Sequence, residues 1–126
     1  MRKSYVLLAE DDADQRELFT LMLEEKGFEV HSVANGKEAL AELQRSVPDL
    51  ILTDIQMPEM NGLDLVWQVK HHAKFVDVPI IVMTCNNKEY LKVASTMGAN
   101  GTIAKPFDEE DLFTAILQVL PESEGH

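Results

Sequence analysis

The segment Tyr5-Val6-Leu7-Leu8-Ala9-Glu10-Asp11-Asp12 passes from an apolar run of strand length straight into three consecutive acids. A helix is predicted beyond it, from about Asp14 to Lys26, with Leu18, Leu21 and Met22 on one face and Gly27 as its stop. Strand and helix form a unit, and the same alternation continues along the rest of the chain. Phe28 to Val33 alternates as a half-exposed edge strand should, and Asn35 caps a helix carrying Ala39, Leu40 and Leu43 that ends before Pro48. Asn35-Gly36 is therefore not a hairpin turn. Leu50 to Thr53 is apolar up to its final Thr, which places it centrally in a sheet. After the loop from Gln56 to Gly62, a third helix is capped at Asn61 and marked by Leu63, Val66, Trp67 and Val69 or Lys70. Pro79 to Met83, a helix from about Lys88 to Met97 ending at Gly98, Thr102 to Ala104, and a last helix from Asp108 to Leu120 complete the series.

Parallel strands need crossover connections, so five successive strand–helix units predict a parallel sheet covered by helices on both faces. This is a small doubly wound α/β domain, in which ligands bind outside the carboxyl ends of the strands. One domain is expected over residues 1–120, with 121–126 as a short acidic tail.

Composition narrows the partners. The 126 residues include 11 Lys and Arg against 22 Asp and Glu, a net charge of −11, which repels nucleic acid phosphates and anionic membranes. With 45% hydrophobic and 26% charged residues the chain can bury a core, unlike a disordered acidic tail. Its single cysteine, Cys85, excludes an internal disulfide and fits a reducing compartment. The apolar run at Tyr5 to Ala9 is too short for a signal h-region or a membrane span, so a cytoplasmic location is the expectation.

At the strand ends stand Asp11 and Asp12 after the first, Asp54 after the third, Thr84 after the fourth and Lys105 after the fifth. Carboxylates gathered in one crevice repel each other unless a cation joins them. Magnesium suits such a site, because it takes hard oxygen ligands and keeps waters that an incoming substrate oxygen can displace.

Together Glu10-Asp11-Asp12, Asp54 with Met57-Pro58 and Asn61-Gly62, Thr84, and Lys105-Pro106-Phe107 resemble the receiver domain of two-component response regulators, over about Lys3 to Leu120. The resemblance implies a flavodoxin-like sheet of order 2-1-3-4-5 with five helices. It further implies that Asp54 is the nucleophile that accepts a phosphoryl group from a phosphohistidine of a sensor histidine kinase or histidine phosphotransfer protein. By the same resemblance Asp12 holds Mg²⁺ directly and Asp11 through water, with Asp54 and the backbone carbonyl of Gln56 completing the ligands. Lys105 then meets a phosphoryl oxygen, Thr84 donates its hydroxyl to another, and the Lys105–Pro106 peptide is cis. The resemblance also implies that the output is a changed contact with a downstream protein through the fourth helix, fifth strand and fifth helix, including Lys88, Tyr90, Lys92 and Phe113.

Two positions depart from the family pattern. Thr102 replaces an aromatic residue that commonly relays the movement of the switch threonine, and Cys85 stands where Ala or Gly leaves room, read here as a small semi-buried side chain. Gln56 and Asn86 are expected to set the lifetime of the phosphorylated state by positioning or obstructing hydrolytic water. Two rival readings are a relay that passes the phosphoryl group to another histidine, and an interaction domain that does not use the site. Other signals fail on chemistry. Asp12-Ala13-Asp14 lacks the glycine and the bidentate Glu of a calcium loop, adjacent His71 and His72 do not share a helical face, and no glycine-rich phosphate loop follows the first strand. Asn100-Gly101-Thr102 fits a glycosylation sequon but enters a core strand.

Overall fold

The computed structural model describes residues 3–85 and 88–120. Five strand–helix units follow in chain order: β1 (Tyr5–Ala9), α1 (Ala13–Glu25), β2 (Glu29–Val33), α2 (Gly36–Arg45), β3 (Leu50–Asp54), α3 (Gly62–Lys70), β4 (Ile80–Thr84), α4 (Lys88–Thr96), β5 (Gly101–Ala104) and α5 (Glu109–Val119). All pairings are parallel and the order is β2-β1-β3-β4-β5. The chain is thus the doubly wound domain that its alternating pattern predicts, with the flavodoxin-like order that the resemblance implies.

Side chains alternate across a strand, and here the alternation divides the core in two. Leu7, Ile51, Ile80 and Val82 point to the face covered by Ala39 and Leu43 of α2, Leu65, Val66 and Val69 of α3, and Ala94 of α4. Val6, Leu8, Leu50, Leu52, Ile81 and Met83 point to the other, against Phe19 and Leu23 of α1 and Leu112 and Ile116 of α5. Every residue of β3 and β4 is buried, whereas β2, at the sheet edge, buries only Val33.

Among the described residues, four helices begin on a side-chain cap. Asp12, Asn35, Asn61 and Asp108 each accept the backbone N–H three residues on, satisfying a donor that the first turn leaves without a partner. Gly62 opens α3 against the end of β3, where a Cβ would overlap the Asp54 carbonyl oxygen, and its N–H donates to the Ile55 carbonyl at 2.7 Å.

Two helix faces differ from the sequence expectation. On α1, Phe19 and Leu23 are buried and Met22 is partly so, while Leu18 and Leu21 are 49% and 56% exposed. At 3.6 residues per turn Leu21 lies about 160° around the helix from Phe19, so the leucines at 18 and 21 cannot share its face. On α3 the buried residues are Leu65, Val66 and Val69, and Trp67 turns outward to stack on His71 with ring centroids 4.1 Å apart. Both misplacements come from helices with more apolar residues than one face can hold.

Candidate phospho-acceptor site

The sheet fixes the site by register. β3 ends on Asp54, which pairs with Met83, so Thr84 is one step further along β4; Thr84 in turn pairs with Ala104, the last residue of β5. The Lys105 N–H donates to the Thr84 carbonyl at 2.7 Å and carries the ladder one residue beyond β5. On the other side Ala9 pairs with Thr53, so Glu10 leaves β1 beside Asp54. The Lys105–Pro106 peptide is cis.

These residues converge through one ammonium. Lys105 Nζ donates to Glu10 Oε1 at 2.8 Å, Asp54 Oδ2 at 2.9 Å and Gln15 Oε1 at 2.7 Å. An ammonium has three N–H donors, and three acceptors engage them. The pairing is largely removed from water: Glu10 is 1% exposed and Asp54 9%. Burial pushes the Glu10 carboxyl above its ordinary range, against the opposing pull of hydrogen bonds from Lys105 and the Asp12 N–H. For Lys105 burial alone lowers the pKa, but its hydrogen bonds to Glu10 and Asp54 and their charges carry it above the ordinary lysine value. Beneath it, Phe19 stacks on Phe107 at 5.0 Å and lies 5.7 Å from the ammonium.

Carboxylate oxygens of Glu10, Asp11 and Asp54 lie within 4.8 Å of one another. Asp12, expected as the direct metal ligand, is not in this group. It is exposed and caps α1, its Oδ1 accepting the Gln15 N–H at 3.0 Å. The placement has a geometric cause: the candidate residues at the other strands are the last of the strand or the first beyond it, and by that rule β1 offers Glu10 and then Asp11. Asp12 comes one residue too late and meets the helix instead. Sequence reasoning missed Glu10, although its place immediately after Ala9 was the available signal. Arg16 holds the same turn, donating to the Glu10 carbonyl at 2.7 Å.

Two clefts open at the site, one beside Asp11 and one beside Lys105. One, of about 510 Å³, is lined by Asp11, Gln56, Met57, Asn61 and Tyr90 among others. The second, of about 470 Å³, is lined by Gln15, Leu18, Phe19, Cys85, Lys105, Pro106 and Phe107. Cys85 is exposed, not semi-buried. Gln56 is exposed at the first cleft, and Asn86 lies outside the described residues. Phe113 is turned from the α4–β5–α5 surface toward α1, with Lys26 Nζ 5.0 Å from its ring. Thr102 is half-buried on β5 beside Val82. The acids fit a hard divalent cation, since they offer oxygen donors alone and one of them, Asp11, faces solvent. No helix among the described residues is long and apolar enough to cross a membrane.

Known proteins share this fold. Protein PilH of Pseudomonas aeruginosa is 34% identical over 91% of this chain and 96% of its own length. Among solved structures, the chemotaxis response regulator CheY4 of Vibrio cholerae superposes with a TM-score of 0.88 at 32% identity, covering 94% of this chain and all of that one. The receiver domain of a Pseudomonas aeruginosa sensor histidine kinase, described with a magnesium ion coordinated in its active-site cleft, gives 0.86 at 27% identity over 94% of this chain and 98% of that one. Against two further curated relatives the chain spans only about half their length. Residues 6–117 match the response regulator receiver domain. With the parallel order, the acids and the lysine all at the strand ends, the chain belongs to the response regulator receiver domain family of two-component signalling.

Proposed function

We propose that this chain is a phospho-accepting response regulator in which Asp54 takes a phosphoryl group from a phosphohistidine of a sensor kinase or histidine phosphotransfer protein. The observation that carries the reading is the Asp54 carboxylate, buried at the end of a central strand, held by Lys105 and grouped with Glu10 and Asp11. An ionised carboxylate needs no general base. The Asp54 O–P bond forms as the donor P–N bond breaks, and that bond's electrons return to the imidazole. Positioning and charge neutralisation do the rest.

Glu10, Asp11 and Asp54, with the Gln56 carbonyl, are the groups that would hold Mg²⁺; when bound it screens the carboxylates from the phosphoryl oxygens. Lys105 fixes Asp54 and supplies positive charge to a phosphoryl oxygen. Thr84, 3% exposed at the end of β4, offers its hydroxyl to another. Leu18, half exposed on the rim of the cleft that Lys105 also lines, gives a donor protein an apolar contact beside the acceptor. The changed surface for a downstream protein is the α4–β5–α5 face, where Tyr90, Val93 and Leu117 are exposed. Energy for the switch is the difference in how two conformations hold the phosphate.

Incubation with an acyl phosphate and Mg²⁺, read by intact mass, tests the assignment. Wild type gains one phosphoryl group and Asp54→Asn gains none; a persistent adduct on the mutant, or none on wild type, overturns it.

A further inference from the structure

We propose that Gln15 is a positioning residue for Lys105, holding its ammonium in the crevice while the two carboxylates that share it are occupied by other partners. The inference rests on the phospho-acceptor reading and goes beyond it. Of the three acceptors around Lys105 Nζ, Glu10 Oε1 and Asp54 Oδ2 belong to the acid group, and Gln15 Oε1 does not. A cation bound by the acids withdraws charge from both carboxylates, and a phosphoryl group on Asp54 converts that side chain from a carboxylate to an ester-like acyl phosphate. The Gln15 amide oxygen is changed by neither event. Its orientation is set by chemistry, because the amide nitrogen cannot accept from an ammonium.

The placement of Gln15 has its own support. Its backbone N–H is the donor that Asp12 caps at 3.0 Å, so the acid that does not join the metal group instead anchors the turn of α1 from which Gln15 reaches 2.7 Å to Lys105. The Asp12 cap, Gln15 and Lys105 form one chain of contacts from the α1 N-terminus to the acceptor. Within it Gln15 supplies an aim for a flexible side chain and no charge.

Gln15→Met keeps the length of the side chain and removes the acceptor. With an acyl phosphate at saturating concentration and Mg²⁺, the single-turnover rate of Asp54 phosphorylation is expected to fall about tenfold, the effect of losing one hydrogen bond to a charged group. In a Lys105→Met background the same substitution changes nothing further, because the group it aims is gone. A readout independent of phosphorylation is the ¹H–¹⁵N signal of the Lys105 ammonium, sharp in wild type and broadened by solvent exchange in Gln15→Met. A rate within twofold of wild type, an equal loss in both backgrounds, or an unchanged ammonium signal each overturns the proposal. Absence of any adduct on wild type instead removes the phospho-acceptor reading on which it rests.

Discussion

Two acidic runs, Glu10-Asp11-Asp12 and Asp108-Glu109-Glu110-Asp111, look alike in sequence, and the second is the longer. The fold uses them differently. At α5, Asp108 Oδ1 accepts the Asp111 N–H at 2.8 Å and Asp111 Oδ2 accepts the Asp108 N–H at 3.2 Å, a reciprocal capping box at the surface. At β1, Glu10 is 1% exposed, a carboxylate from a second strand stands beside it, and a lysine from a third bridges the two. Asp12 belongs to the first kind although it adjoins the second. Acid density therefore says little about chemistry; burial together with a partner distant in sequence says much.

The largest effect expected from breaking this contrast is at Lys105. Lys105→Met leaves Glu10 and Asp54 without their shared cation, and stability falls by about 3 kcal/mol in urea unfolding. Added Mg²⁺ restores part of it, since a ligand of the folded acids stabilises by mass action. Next comes cation affinity: Asp11→Asn weakens Mg²⁺ binding at least about tenfold by titration calorimetry, whereas Asp12→Asn, which keeps a capping oxygen, changes it less than about twofold. Equal losses at both positions would restore Asp12 to the metal site. Smaller again, Asp108→Ala costs about 1 kcal/mol of stability and leaves phosphorylation by an acyl phosphate unchanged.

A third buried acid sharpens the comparison at the sheet edge. Glu42 on α2 is 8% exposed and accepts the Tyr5 hydroxyl at 3.1 Å, with His31 and Arg45 at 3.5 and 3.6 Å. Burial first, and then the hydrogen bond and charge of Glu42, push the Tyr5 phenol from 10.0 up to about 12. A phenol whose folded value is raised contributes stability that is intact below pH 10 and is lost as pH rises toward 12. Tyr5→Phe removes that alkaline slope, measured by unfolding between those limits.

The order of elements and their caps at Asn35, Asn61 and Asp108 were legible because each rests on local chemistry: apolar runs, stop residues and a side-chain acceptor three residues before an N–H. Helix faces were less legible. The α1 segment has enough apolar residues for two stripes, and only packing against β1 and α5 selects Phe19 and Leu23 over Leu18 and Leu21. In the site, Asp54, Lys105 and Thr84 could be placed from strand ends alone. Glu10 follows the strand end that the sequence already places at Ala9; what the sequence did not show is that α1 begins at Ala13 and takes Asp12 as its cap, which decides which acid turns inward. Gln15 was invisible for a related reason, since its contact with Lys105 spans 90 positions.

The central claim is that Asp54, and none of the neighbouring acids, carries the phosphoryl group. Phosphorylate the wild-type chain with an acyl phosphate and Mg²⁺, reduce the acyl phosphate with borohydride, and map the resulting homoserine by tandem mass spectrometry. The account predicts homoserine at position 54; homoserine at 11 or 12, 5-hydroxynorvaline at 10, or no reduced acid anywhere in the chain would contradict it.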